Sequence, residues 1–192
     1  MNKLLTTKGQ LTSDRIAAAA RNKLVEDGFD ALVMRELAEA LQMKLGNLQY
    51  YYATKDDLVL SVLEAEAQID LEAIAEGITQ HNDAETAFRA IVGNLVARWR
   101  GQSGMLFLAL NNLAAHNEMY RQLYNRIYLR FYDALEGLLK EMNPALTGEE
   151  ISLRVRLITA LIDGSSMQIR VGKKHAYLER VRQQAMNIAH DK

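Results

Sequence analysis

The stretch Leu32–Leu58, LVMRELAEALQMKLGNLQYYYATKDDL, decides the fold. Within it Met34, Leu37, Ala38 and Leu41 fall at i, i+3, i+4 and i+7, and so share one helical face. Gln42–Lys44 interrupts that pattern. A second short helix then fits Leu45 to Tyr51, with Leu48 and Tyr51 turned inward. Thr54-Lys55-Asp56-Asp57 reads as a capping box: the Thr54 hydroxyl accepts from the Asp57 amide, and the Asp57 carboxylate reaches back to Thr54. A long third helix therefore begins at Lys55. Two short helices joined by a tight turn make a helix-turn-helix, whose second helix is slim enough to enter a DNA major groove.

The side chains of that second helix suit the same role. No acidic residue occurs from Gln42 to Lys55, while Lys44 and Lys55 are basic. Asn47 and Gln49 can each make two hydrogen bonds to the N6/N7 edge of adenine. Lys44, Lys55, Arg35 and the hydroxyls of Tyr50 and Tyr51 suit phosphate oxygens, and Leu45 opens the helix that faces the groove. Plainer roles compete. Arg35 can pair on the surface with Glu39 at i+4, and Tyr51 and Tyr52 can pack a small core, leaving Tyr50 alone exposed.

Taken together, Gly28-Phe29, Arg35-Glu36-Leu37-Ala38, Gly46-Asn47-Leu48, Tyr51-Tyr52 and Thr54-Lys55-Asp56-Asp57-Leu58 resemble the Tet-repressor (TetR) family of bacterial transcriptional regulators. The resemblance covers roughly residues 10–65, and it lies in the order and spacing of the pieces. The chain departs from the family pattern in three places. Leu32 and Val33 stand where a threonine often opens the second helix, Gln42 and Lys44 replace a Gly and Ser in the turn, and Gln49 replaces a tyrosine. The resemblance implies an all-α chain of about nine helices: a three-helix DNA-binding domain over residues 1–54, and a larger bundle over 55–192 that binds a small effector and forms a homodimer.

Composition sets bounds on this reading. The 192 residues are 49% hydrophobic, enough for a sizeable core, and carry a formal net charge of −1. Residues 1–60 hold eight Lys/Arg and eight Asp/Glu, so any affinity for DNA comes from where the charges sit and not from their sum. With no cysteine, disulfides, thiol catalysis and Cys-type zinc sites are excluded, which fits a reducing cytoplasm. Neither a signal peptide nor a run of about 18 apolar residues is present, so no membrane span is expected.

Taken in order, residues 1–11 read as a loose arm with Lys3 and Lys8, and Thr12 or Ser13 can cap a helix reaching Asp27. Ile16, Ala20 and Leu24 line its inner face, Gly28 suits the position just past its end, and Phe29 plugs the small core. The helix from Lys55 is expected to run to about Gly77 with Leu58, Val62, Ala65 and Ile69 buried, linking the two halves mechanically. Further helices are expected over about 84–100, 105–116, 117–142, 148–171 and 176–189. Gly101–Gly104 should break the chain, Asn117 should cap, and Thr147-Gly148-Glu149-Glu150 should form a second capping box.

In the second half, Trp99, Phe107, Asn111, Asn112, His116, Tyr120 and Tyr124 come from consecutive helices and could line an apolar effector pocket with a few polar groups. An aromatic stripe at helical spacing equally suits plain core. Leu157, Ala160, Leu161 and Gly164 suit a close helix–helix dimer contact. Beside them, Asp163 can pair with an arginine across the interface, meet a cationic ligand, or simply sit at the surface. His81, His116, His175 and His190 are far apart, and no HExxH, phosphate loop or nucleophile elbow occurs, so no enzyme, cofactor or metal is expected. The expected function is a ligand-responsive repressor bound as a dimer to a pseudo-palindromic double-stranded operator. A helical dimeric interaction module without DNA binding, or a small helical enzyme, are the alternatives.

Overall fold

A computed structural model of the chain describes residues 6–169, 171 and 174–190. Among them are nine α-helices and no strand. None of these helices is long and apolar enough to cross a membrane. The chain divides into two compact units, Met1–Ala65 and Glu66–Lys192. Lys3, Gly172 and Lys173 lie outside the described residues.

The first unit holds α1 (Thr7–Asp27), α2 (Met34–Ala40), α3 (Leu45–Tyr51) and the beginning of α4 (Lys55–Gln80). α1 starts earlier than its sequence suggests. Thr6 is the cap, its hydroxyl accepting from the Gly9 amide at 3.3 Å. The two hydroxyls expected to cap are used elsewhere: Thr12 donates back to the Lys8 carbonyl, and Ser13 meets the Tyr52 hydroxyl at 2.9 Å. The predicted loose arm is therefore helical from Thr7 onward. At the other end Gly28, with φ 84°, donates to the Leu24 carbonyl and stops the helix.

Ile16, Ala20, Leu32, Ala38, Leu48 and Leu58 are all 1% exposed or less and make the core of this unit. Burying each of the leucines is worth roughly 1.5–3 kcal/mol. α2 ends in a Schellman arrangement, in which Met43 donates to the Ala38 carbonyl and Gln42 to that of Glu39. The left-handed position this needs falls on Gln42, at φ 56°, where glycine is the residue without steric cost. Arg15 of α1 donates to the Leu41 carbonyl at 3.2 Å and ties the turn down. The expected capping box opens α4: Asp57 N donates to Thr54 Oγ1 at 3.1 Å, and Thr54 N to Asp57 Oδ2 at 3.0 Å.

The second unit holds the rest of α4 with α5 (Ala84–Trp99), α6 (Gln102–His116), α7 (Glu118–Met142), α8 (Gly148–Gln168) and α9 (Lys174–His190). α7 packs on α5, α6 and α8, and α9 on α5 and α8. Asp83, Asn117 and Thr147 cap α5, α7 and α8, each accepting a backbone amide. At the second expected capping box only the threonine half is made, because the Glu150 carboxylate accepts from Arg154 at 2.9 Å. Arg154, buried, also donates to the Ile188 and Ala189 carbonyls and satisfies the end of α9.

Two further expectations fail for identifiable reasons. Gly101–Gly104 is not an extended break, since α6 starts at Gln102. Gly104 serves close packing: a Cβ there would lie 2.0 Å from the Trp99 carbonyl oxygen. On α4, Ala65 is exposed and Ile69 is 46% exposed, whereas Glu66 and Asp70 are buried. The helix turns its carboxylates inward because Arg98, Trp99 and Ser103 wait there with donors.

Candidate nucleic-acid interface and effector cavity

α3 rests on Leu48, which is fully buried, while Leu45 and Tyr51 are half-buried. The remaining surface of the helix carries no charge of its own. At 100° per residue, Gly46 and Tyr50 lie at the centre of the exposed face, with Asn47 and Gln49 on its two flanks. A Cβ at Gly46 would meet nothing within 4 Å, so the glycine leaves open space at the middle of this face. Tyr50, 57% exposed, packs edge-on against Tyr51 with ring centroids 5.2 Å apart. Tyr52 is half-buried and held by Ser13.

Three cations are expected beside that face. Lys44 is exposed at the N-cap of α3. Lys55 is half-buried, its ammonium 4.0 Å from the centroid of the Phe29 ring, a cation–π contact that steadies it. Arg35 and Glu39 are both exposed and 3.7 Å apart, so the i+4 pair is present while the guanidinium stays open to solvent. A pair so exposed is worth little and yields readily to a phosphate.

In the second unit, a cavity of about 170 Å³ is lined by Trp99, Phe107, Asn111, Tyr128, Asp163 and Met167, among others. A smaller void of about 20 Å³ touches Ile74, Leu95, Trp99, Phe131 and, again, Asp163. Trp99 and Phe107 stack with centroids 4.5 Å apart and planes 11° from parallel. Of the residues the sequence offered for a pocket, Trp99, Phe107 and Asn111 line this one. Tyr124 stands behind them: it receives the Asn111 amide at 3.3 Å and packs on Tyr128 at 4.3 Å. Tyr120 is fully buried core, and Asn112 and His116 face solvent. The exposed amides need no buried partner.

Tyr128 is a lining residue the sequence did not offer for the pocket, and Asp163, offered for an interface pair or a cationic ligand, lines it too. Tyr128 donates to Asp163 Oδ2 at 2.8 Å. The other carboxylate oxygen, Oδ1, is sealed from solvent and has no hydrogen-bond partner among the described residues. Burial pushes the Asp163 carboxyl up to about 7, against the opposing pull of the Tyr128 hydrogen bond. Burial and the neighbouring Asp163 charge likewise raise the Tyr128 hydroxyl, which stays protonated. No group of three His, Asp or Glu is gathered as a metal site among the described residues.

Trp99 joins this cavity to a buried ionic cluster. Its indole Nε1 donates to Asp70 Oδ2 at 2.9 Å. Arg98 donates from Nε to Asp70 and from Nη2 to Glu66 at 3.2 Å, and Ser103 donates to Glu66. The Asp70 carboxyl is raised above its usual range because burial outweighs the pull of Arg98.

On α8, Leu153, Leu157 and Met167 are 52%, 49% and 55% exposed, and Ala160 is exposed with them. With half-buried Gly164 they form one stripe, and Leu161 lies at its margin. A Cβ on Gly164 would meet nothing within 4 Å. Gly164 and Met167 also line the 170 Å³ cavity, which therefore reaches this helix face.

The model for bacterial regulatory proteins of the tetR family matches residues 16–62, and the model for the C-terminal part of BetI-type transcriptional repressors matches residues 84–191. An HTH-type transcriptional regulator in the dhlA 5′ region of Xanthobacter autotrophicus is 26% identical over 165 residues, 83% of this chain and 80% of that protein. A TetR transcription regulator from Haloarcula marismortui aligns with a TM-score of 0.80 at 19% identity, covering 94% of this chain and 97% of that one. A transcriptional regulator from Saccharomonospora viridis in complex with choline aligns with a TM-score of 0.76 at 20% identity, over 95% and 97% of the two chains. At such identities the solved structures establish the fold alone.

Proposed function

The chain belongs to the TetR family of bacterial regulatory proteins, and its first unit carries the family's helix-turn-helix DNA-binding domain; on that premise we propose that it is a repressor, acting as a homodimer on a pseudo-palindromic operator and released by a small-molecule effector. One observation carries the DNA-binding part: α3 is anchored by a buried Leu48 and turns outward a face of amides, a tyrosine and a bare glycine, flanked by Lys44 and Lys55. Asn47 and Gln49 read base edges, and Lys44, Lys55, Arg35 and Tyr50 hold phosphates, with Tyr51 and Leu45 at the edges of the contact. Because residues 1–60 sum to zero charge, the affinity is local to this face.

The exposed stripe Leu153, Leu157, Ala160, Gly164 and Met167 supports the dimer, since an apolar helix face of this kind is best covered by a second copy. Each copy then offers one α3, and the half-site centres lie about one DNA turn apart, roughly 34–36 Å, or a multiple of it. The cavity behind Trp99 supports the effector. An occupant there touches residues of the dimer stripe and, through the Trp99–Asp70 bond, the α4 helix that runs on into the first unit. It shifts the equilibrium between operator-fitting and other shapes by its differential affinity for them.

Fluorescence anisotropy with duplexes taken from beside the gene, at several salt concentrations, tests the reading. Sequence-preferring binding that weakens steeply with salt supports it. Absence of such binding favours a helical interaction module whose helix-turn-helix no longer engages DNA.

A further inference from the structure

We infer that the first unit pairs with the first unit of a second copy. The two α1 helices lie antiparallel, and each seats its Leu11 in the groove between α1 and α2 of the other. This contact is separate from the α8 stripe and does not depend on it.

The outer face of α1 is as regular as its inner one. Lys8, Leu11, Arg15, Ala18, Asn22 and Glu26 recur every three or four residues, and all six are exposed. At 100° per residue they fall within about 80° of one another, on the side away from Ile16, Ala20 and Leu24. Leu11 is 66% exposed, a large apolar side chain standing in water between two cations.

Charge is segregated along this face. Lys8 and Arg15 lie in its N-terminal half, where the one acid, Asp14, stands off the stripe and accepts from Gln10 at 2.8 Å. Glu26 lies at the other end, about 27 Å from Lys8 at 1.5 Å per residue. A parallel pair of such helices sets like charge against like. An antiparallel pair sets the cations of each against the carboxylates of the other.

The acidic end also offers a place for the leucine. A groove of about 410 Å³ runs between α1 and α2, with Ala19, Leu32, Val33, Leu37 and Ala40 in its lining. Val33 is 44% exposed there. Glu26 and Glu36 line the groove too, and its lysine, Lys23, is already held by Asp27 at 2.8 Å. An apolar groove with a negative rim complements Leu11 flanked by Lys8 and Arg15.

Both halves of the contact belong to one chain, which is why the partner is a second copy. A two-fold axis at Ala18 sets Leu11 and Arg15 of one copy against the span Ala19–Glu26 of the other, the α1 wall of the groove, with Lys8 just beyond Glu26. The same axis repeats every contact. Ala18 and Ala19 are small enough for the helix axes to approach to about 8 Å. A basic helix from another protein would fill the groove but leave Leu11 in water, whereas a second copy covers both. One helix face and one groove make a contact of the weak, transient kind, which forms where copies are concentrated. No α3 residue lines the groove, so the pairing leaves the face of Asn47, Gln49 and Tyr50 open and joins separate dimers of the regulator.

Ala18→Cys in the full chain places a thiol at the axis, and the sequence has no other cysteine. A disulfide needs Cβ atoms within about 3.5–4.5 Å, so it forms readily only if the two helices meet there. In an oxidising glutathione buffer at low salt, Ala18→Cys should give at least about fivefold more disulfide-linked pair than Asp30→Cys, which is exposed but remote from the axis, and the yield should fall as salt rises. Within the Ala18→Cys protein, Lys8→Glu with Arg15→Glu, or Glu26→Lys with Glu36→Lys, sets like charges together and should lower the yield about fivefold or more. Mixed in equal amounts, the two reversed proteins match again and should recover the linked pair. Circular dichroism checks that each keeps its helix content, and the comparison of Ala18→Cys with Asp30→Cys stands without them. A yield for Ala18→Cys no greater than for Asp30→Cys overturns the pairing. So does a yield that charge reversal leaves unchanged, or a mixture of folded variants that stays unlinked. Anisotropy with DNA duplexes on the unaltered protein is read separately, so the regulator reading survives any of these outcomes.

Discussion

Replacing Arg98 by methionine removes one charge and keeps the length of the apolar stem. The cluster it leaves is severe: Glu66 is 2% exposed and Asp70 is fully buried, and both lose the guanidinium. Trp99 still donates to Asp70 and Ser103 still donates to Glu66, so neither carboxylate is left without a donor. Removing one partner of a buried ion pair costs about 3–5 kcal/mol. Arg98 itself is 31% exposed and partly screened by water, so the low end, about 3 kcal/mol at neutral pH, is expected.

The loss carries a pH signature. Asp70 already has a raised folded-state pKa, and without Arg98 it rises further. A carboxyl whose folded pKa exceeds its unfolded one penalises the native state increasingly as pH rises from the unfolded value to the folded one, and by a constant amount above it. Because the unfolded state is common to both proteins, the deficit of Arg98→Met is full above the variant's further-raised value and shrinks as pH falls toward the raised value of the unaltered protein. Urea unfolding followed by the fluorescence of Trp99 measures it, since the only indole sits at the cluster. Adding Glu66→Gln and Asp70→Asn to the variant should recover most of the loss. A deficit under about 1 kcal/mol, or one that does not change between about pH 5 and pH 8, would refute the reasoning.

Three further outcomes are expected. Gln42→Gly relieves the left-handed residue at the turn and should stabilise the first unit by about 1 kcal/mol, read by calorimetry; a lower melting temperature would contradict this. Lys55→Ala should weaken binding to all duplexes and reduce the salt slope by about 1, whereas Asn47→Ala or Gln49→Ala should chiefly relax sequence preference. Wild-type operator affinity for Lys55→Ala at every salt would return that lysine to its contact with Phe29 alone. Leu157→Arg places a charge in the middle of the α8 stripe and should shift the protein toward monomer in sedimentation experiments, without loss of helix content by circular dichroism.

The helices were largely legible from sequence, because helix boundaries are set by local chemistry. Thr54 with Asp57, Asn117, Thr147 and Gly28 act within a few residues of themselves, and each caps or ends its helix as expected. The same locality explains why α3 could be recognised as a helix with Leu48 beneath it and amides above. What local chemistry does not fix is which of several adequate donors or faces the rest of the fold will claim. Thr12 and Ser13 looked like caps until Tyr52 and the Lys8 carbonyl took their hydroxyls. On α4, hydropathy favoured burying Ala65 and Ile69, but Arg98 and Trp99, about thirty residues on, made it favourable to bury Glu66 and Asp70. Asp163 was visible as a residue and unreadable as an environment, because its burial is created by α5, α6 and α7 together. Spacing along a chain specifies contacts within a helix; the dielectric around a charge is a property of everything folded against it.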